Sequence, residues 1–262
     1  LPIYIGLPND LHYPFALKAL EANKNVIVEK PFVSSIEEAE TLLNLAKEKK
    51  LLLLDAITPR YMPGLFKLKE KIKDIGTISQ VETTYCQYSS KFDQVRNNEI
   101  PKVFDLRYYG GALKDLGIYP ITFNIELFGK PEEAHYYANK LENGCDSSGT
   151  IVLKYHNFVS VNIIAKDSFM VNRCVISGYD GTFSIDDDCF RFSNLNFQKS
   201  VKEKKTTLLI SEYPPHHYEW EYFLDAFENR KQEECYRYIK NTEIAIELLD
   251  TLAESAKISY GG

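Results

Sequence analysis

Glu29-Lys30-Pro31 follows the apolar run Val26-Ile27-Val28, which places a lysine at the C-terminal end of a predicted parallel strand. Open α/β sheets take their ligands at that edge. A partly desolvated lysine there donates a proton or holds an alcohol oxygen, because its pKa falls readily on burial. Spacing alone supports a surface lysine at a strand end equally well. The segment from Gly110 to Pro120, GGALKDLGIYP, is more specific. Two glycines open it, and a helix then carries Asp115 and Tyr119 four apart on one face. That face presents a carboxylate and a phenol together to a cleft. An unperturbed tyrosine titrates near about 10, so it needs a neighbouring cation to act near neutrality. Lys30 is a candidate for that cation. A plainer account, with Tyr119 a half-buried core aromatic and Asp115 a helix cap, stays open on the residues alone.

Other chemistry-bearing residues point less far. His216 and His217 are adjacent, so their side chains diverge, and no ligand cluster flanks them for a metal. Asp186-Asp187-Asp188 lacks EF-hand spacing and reads as an exposed strand end. There is no GxSxG elbow, P-loop or GxGxxG turn. The five cysteines are an odd number without a CxxC, which fits small core residues in a reduced, cytoplasmic setting better than a disulfide framework.

The elements that must position these residues fall into two textures. Over residues 1–58 the pattern predicts strand, helix, strand, helix, strand. The helices lie over 11–22 and 34–49 and the strands over 1–7, 25–29 and 51–54. Asn9 or Asp10 is expected to cap the first helix, and Ser34-Ser35 with Glu37-Glu38 to open the second as a capping box. This alternation with short links is that of a parallel sheet covered on both faces. After Thr58-Pro59-Arg60 one helix is expected over 62–73. Runs rich in Val, Ile, Thr, Tyr and Phe then predict strands over 78–88, 134–141, 149–155, 158–165, 172–178 and 182–185. His156-Asn157 and Asp180-Gly181 mark antiparallel hairpins. Helices are expected over 111–127, 216–228 and 241–259, and Lys202 to Lys205 reads as a solvated loop. The fold class is therefore α/β plus α+β: a partial Rossmann-type domain over residues 1–59 and a domain over 60–262 built on a large, mostly antiparallel open sheet.

Composition sets the outer limits. With 262 residues, 44% hydrophobic and 26% charged, the chain is globular rather than disordered or fibrous. No apolar run approaches the roughly 18 residues of a membrane helix. A net charge of -6 argues against a general nucleic-acid-binding surface. Leu1 to Leu7 reads as a strand already under way, and a sheet with a raw edge at its first residue is expected of a fragment rather than of a natural start.

Taken together these segments resemble the glucose–fructose oxidoreductase / inositol dehydrogenase / rhizopine-catabolism (Gfo/Idh/MocA) family. The anchors are Pro8-Asn9-Asp10-Leu11-His12-Tyr13, Val28-Glu29-Lys30-Pro31, Arg60 with its following helix, Gly110 to Tyr119, and the helical stretch from Glu219-Trp220-Glu221-Tyr222-Phe223 to Ser255-Ala256. The resemblance implies a Rossmann domain binding NAD or NADP, and a C-terminal domain whose open sheet forms a homo-oligomer interface. It places Leu7, Pro8, Asn9 and His12 beside the cofactor, Glu29 and Lys30 near its nicotinamide end, and Arg60 close by. It makes Lys30, Asp115 and Tyr119 the catalytic positions, with a cis Lys30-Pro31 bond. Most members carry His where this chain has Tyr119, and in that respect the chain is similar to the sugar oxidoreductase and trans-dihydrodiol dehydrogenase branches, where Tyr is the proton donor or acceptor. The implied activity is hydride transfer between nicotinamide and a secondary alcohol or ketone of a sugar, cyclic polyol or dihydrodiol. Alternatives are a catalytically silent cofactor sensor of the same fold and an NAD-dependent glycosidase-like enzyme. On this resemblance about 60 residues with the glycine-rich turn would precede Leu1. The NAD-or-NADP determinants would lie among them, and residues 1–262 alone would bind cofactor poorly.

Overall fold

The computed structural model describes residues 2–261. The first strand, β1 (Ile3–Ile5), leads through a 3-10 turn at Asn9–Leu11 into helix α1 (His12–Glu21). Strand β2 (Val26–Glu29), helix α2 (Ile36–Lys49) and strand β3 (Leu53–Ala56) follow. The three strands form a parallel sheet in the order β1-β2-β3, with Ile3 opposite Val26 and Val26 opposite Leu53. Val26, Ile27 and Val28 are fully buried, as a strand covered on both faces requires. The start of α2 is a capping box: Ser35 Oγ accepts the Glu38 N–H at 3.3 Å, while Glu38 Oε2 accepts the Ser34 N–H at 2.9 Å. The expected cap from Asn9 or Asp10 is absent. Those residues are themselves wound into the 3-10 turn, so neither side chain caps α1.

Helix α3 (Pro63–Lys71) opens the second part of the chain, followed by strand β4 (Ile78–Cys86) and a one-turn helix, α4 (Phe92–Arg96). A π-helical turn at Leu113–Gly117 runs directly into helix α5 (Ile118–Phe128). Strands β5 (Glu133–Lys140), β6 (Asp146–Lys154), β7 (Val159–Ala165), β8 (Arg173–Gly178), β9 (Gly181–Ile185), β10 (Asn194–Gln198) and β11 (Thr206–Ile210) come next. Helices α6 (Pro215–Glu228) and α7 (Gln232–Ser255) close the order. The large sheet runs β11-β10-β9-β8-β4-β7-β6-β5, antiparallel except where β4 and β7 lie side by side in parallel. Strands β10 and β11 were not expected. Their polar residues, such as Asn194, Asn196 and Thr206, break the apolar alternation by which a strand is recognised. Among the described residues no helix is long and apolar enough to cross a membrane.

Helix α7 ties the two sheets together. Tyr236, Ile239 and Ile246 pack into the core shared with α1 and α2, while Ala245, Leu248, Leu249, Leu252 and Ala253 pack into the core under the large sheet. A helix apolar on more than one face is a buried helix. It starts nine residues earlier than expected, because Glu233 and Glu234 mask a first turn that buries Cys235, Tyr236 and Tyr238.

Candidate active site

Lys30 directly follows β2, at the C-terminal rim of the parallel sheet, and the Lys30-Pro31 bond is cis. Its Nζ donates to Asp115 Oδ1 at 2.9 Å across the gap to the π turn. The other carboxylate oxygen, Oδ2, accepts from Lys166 Nζ at 2.6 Å; Lys166 directly follows β7. Asp115 thus bridges two lysines from two different sheets. Burial alone would raise its pKa, but Lys30 and Lys166 outweigh that and hold it down at about 2. Tyr119, in the first turn of α5, is 8% exposed. Its ring centre lies 5.4 Å from Lys30 Nζ, and Tyr85 and Phe190 meet it edge-on at 5.2 and 5.3 Å.

Lys30, Asp115 and Tyr119 are therefore neighbours, but the electrostatics differ from expectation. The Tyr119 phenol is pushed well above its ordinary value, by burial first and then by the charges of Asp115, Glu29 and Glu219. The ammonium of Lys30 is engaged by Asp115 and faces the ring of Tyr119, and the raising effects prevail at the hydroxyl.

The glycines before Asp115 have a steric reason. Gly111 sits at φ +121°, and a Cβ on it would come within 2.1 Å of Asp146 Oδ1. Buried Asp146 accepts the Leu113 N–H at 2.7 Å and the Tyr136 hydroxyl at 2.8 Å through Oδ2, which anchors the start of the π turn. Gly111→Ala is accordingly expected to lower stability by more than about 1 kcal/mol, since it strains the backbone and displaces that anchor. Chemical denaturation of the variant checks this.

The residues expected at the cofactor divide into three groups. Leu7, Pro8 and Asn9 form an exposed rim after β1. His12 is 1% exposed, with its ring nitrogens 2.8 Å from the carbonyl oxygens of Pro31 and Leu7, so it fastens the two rim segments to each other. Glu29 accepts the Tyr4 hydroxyl and the Lys30 N–H, the latter at 3.0 Å. Arg60 lies in the interior. It is 1% exposed and enclosed by carboxylates: its Nε donates to Glu126 Oε1 at 2.8 Å and its guanidinium also pairs with Asp55. Thr242 of α7 completes the cluster at 3.2 Å. An arginine so enclosed joins β3, α5 and α7.

A cavity of about 280 Å³ gathers Asn9, Lys30, Asp115 and Lys166 with Lys102 and Tyr108 of the loop before the glycines. Tyr119 lies outside its lining. The rim presents exposed apolar Leu7 close to polar Asn9 at the C-terminal edge of the parallel sheet, the edge at which such sheets take their ligands. A glycine-rich phosphate turn does not occur among the described residues.

Two side chains of the site escaped the sequence analysis. Lys166 follows a strand whose end had been placed correctly at 165, yet nothing in the local pattern pairs it with a residue 51 positions away. Asp146 precedes the expected strand start of 149 and so read as loop. The remaining candidates are structural. His216 Nδ1 lies 3.2 Å from Glu219 Oε2. Asp188 is buried rather than exposed, accepting the N–H groups of Phe190 and Arg191 at 3.0 and 2.7 Å. The five cysteines are buried and unpaired, and no group of three or more His, Cys, Asp or Glu among the described residues is arranged to hold a metal ion. Arg107 pairs with Asp105 at 2.6 Å, and Arg96 with Asp93 at 3.7 Å.

A lysine at the rim of the parallel sheet thus faces a carboxylate and a phenol from a second, sheet-based unit, at the edge where open α/β sheets take their ligands. Residues 2–55 match the oxidoreductase family with an NAD-binding Rossmann fold, and residues 67–184 match the Gfo/Idh/MocA C-terminal domain. The chain belongs to the Gfo/Idh/MocA family. It is 34% identical over 184 residues to scyllo-inositol 2-dehydrogenase (NADP(+)) of Bacillus subtilis, covering 70% of this chain and 56% of that protein. It is 29% identical over 206 residues to trans-1,2-dihydrobenzene-1,2-diol dehydrogenase of Oryctolagus cuniculus, covering 76% of this chain and 60% of that one. The chain thus spans somewhat more than half the length of these relatives. A 3-ketoreductase of Actinomadura kijaniata, solved with NADP and TDP-benzene, superposes over 99% of this chain and 79% of its own, with a TM-score of 0.77 at 18% identity, a likeness of fold.

Proposed function

We propose that this chain serves an NAD(P)-dependent oxidoreductase acting on a secondary alcohol or ketone of a sugar, cyclic polyol or dihydrodiol. The observation that carries this is the meeting of Lys30, Asp115 and Tyr119 at the rim of the parallel sheet. In this reading residues 1–59 hold the nicotinamide end of the cofactor through Leu7, Pro8, Asn9, Glu29 and Lys30, and residues 60–262 hold the substrate. The bound nicotinamide supplies or accepts the hydride. Lys30 Nζ holds the reacting oxygen, Asp115 Oδ1 fixes the direction of that ammonium, and Tyr119 passes the proton. The raised phenol pKa favours the protonated form, and so a donor role in carbonyl reduction. The relatives' dehydrogenase activities on an inositol and a dihydrodiol support the substrate class.

A homo-oligomer through the large sheet belongs to the same proposal. Val152, Val161, Glu82 and Val175 form one cross-strand row, and Tyr137, opposite Thr150 on the same face, is 63% exposed. A cytoplasmic setting accords with five unpaired cysteines. The assay uses scyllo-inositol, D-xylose and a trans-dihydrodiol, each with NAD and NADP, reading nicotinamide absorbance together with cofactor affinity. Turnover of at least one is expected. Tight cofactor binding with no turnover on any alcohol or ketone would favour the sensor, and release of an aglycone without net reduction the glycosidase-like cycle.

A further inference from the structure

We propose that Lys166 is a positioning residue of this site, the second cation that keeps the Lys30–Asp115 pair net positive so that Lys30 remains able to stabilise charge on the reacting oxygen. The proposal rests on the oxidoreductase reading for its kinetic consequence only. The problem it resolves is electrostatic. A lysine whose ammonium is 2.9 Å from a carboxylate has most of its field cancelled at longer range. An oxygen becoming an alkoxide beside such a neutral pair would gain little. With Lys166 at 2.6 Å on the other carboxylate oxygen, these three groups carry one unit of surplus positive charge, set against the Glu29 carboxylate that accepts the Lys30 N–H.

The geometry of Lys166 suits that task. Its side chain is 5% exposed, whereas lysines are almost never buried unless paired. Its backbone is held on both sides: the N–H donates to Ser147 O at 2.8 Å, and the carbonyl accepts from the Ser89 N–H at 2.8 Å. Its ammonium lies 5.2 Å from the ring centre of fully buried Phe104. The groups facing it are Asp115 from the π turn and, further off, Asp146 and Cys145 at the start of β6. The groups facing Asp115 are Lys30 just after β2, Lys166 just after β7 and the Tyr119 phenol of α5. Asp115 is therefore set between a lysine of each sheet, and the surplus charge exists only while both sheets keep their places.

The test compares Lys166→Met with Lys166→Arg. The first readout needs neither cofactor nor substrate: the chain is labelled with carboxyl-13C aspartate and the Asp115 resonance is titrated by NMR. With both cations present this carboxyl titrates at about 2. Loss of one close cation is expected to raise it by about one unit or more in Lys166→Met, and Lys166→Arg should hold it down. An unchanged Asp115 titration in a folded Lys166→Met variant would overturn the proposal. The second readout is kinetic, on the cofactor-loaded protein. Lys166→Met is expected to lose about tenfold to a hundredfold in kcat with KM nearly unchanged, and its acid limb should move up with the carboxyl. Lys166→Arg should recover most of the rate. Equal losses in both variants with an unmoved pH profile would reduce Lys166 to a packing role. A shifted carboxyl in a protein that turns over no alcohol would sustain the charge assignment and count against the oxidoreductase reading instead.

Discussion

Tyr119→Phe is expected to lower kcat for carbonyl reduction by about a hundredfold to ten-thousandfold while KM stays within about threefold, the signature of a lost proton donor. The ring makes its contacts through carbon: Lys30 faces it at 5.4 Å, and Tyr85 and Phe190 pack on it edge-on. Removing the hydroxyl leaves all of these in place, so the loss isolates the proton. The pH dependence follows from the sign of the shift. Burial and the nearby carboxylates raise the phenol above its ordinary value, so the donor form persists as pH rises. Wild-type reduction should therefore show no phenol limb up to about pH 9, whereas oxidation, which needs the phenolate as acceptor, should speed up with pH. Steady-state rates of the variant and wild type in both directions decide the matter. A Tyr119→Phe variant with wild-type turnover would move the proton to Lys30.

Arg60→Met is expected to cost about 3–5 kcal/mol of stability, because it leaves Asp55 and Glu126 in the interior without their counter-charge. Both carboxylate side chains are at most 3% exposed, and neither gains access to water when the guanidinium goes. Lys69 still reaches Glu126 Oε2 at 2.7 Å and Thr242 still donates to Asp55, which softens the loss without replacing the fork. For a chain of this size the change lowers the melting temperature by on the order of 10 °C. Arg60→Lys should recover only part of it, since an ammonium cannot span Nε and two terminal nitrogens at once. Thermal unfolding of the three proteins measures the effect; a shift of a degree or two for Arg60→Met would show that the cluster hydrates. Cofactor affinity should follow stability rather than fall on its own account, since the Arg60 guanidinium is taken up by carboxylates in the interior.

The parts that were legible in the sequence are those where one physical requirement governs a short stretch. Val26 to Val28 reads as a doubly covered strand because nothing polar interrupts it, and Ser35 with Glu38 announces a helix start because both side chains serve local backbone groups. Lys30, Asp115 and Tyr119 were candidates by residue type and spacing, with plainer accounts open, and the family resemblance gave those positions roles. What was not legible depends on partners far along the chain. Arg60 belongs to Asp55, Glu126 and Thr242, the last 182 residues away, and an arginine one residue after a proline carries no mark of that burial. Lys166 likewise meets Asp115 only because β7 and the π turn end at the same place. Strands β10 and β11 were hidden for the opposite reason: at the margin of a sheet half their residues face water, and the composition says loop.

The π turn before α5 bears on how this chain tolerates change in length. A π turn holds one residue more per turn than an α turn, and such turns recur at functional sites. Deleting any one residue from Leu113–Gly117 would let the segment close as ordinary α-helix, hydrogen bonds intact and hydrophobicity barely altered. A π turn takes up its extra residue while the helix on either side stays in phase, so the deletion would leave the start of the segment and α5 in register and re-aim only the side chains inside the turn. Asp115 lies inside it and Tyr119 just beyond, so the carboxylate would be re-aimed relative to Lys30 and Lys166 while the phenol kept its place. In a lineage of such chains, a gap of a single residue here would disturb the site while barely altering composition or helix content.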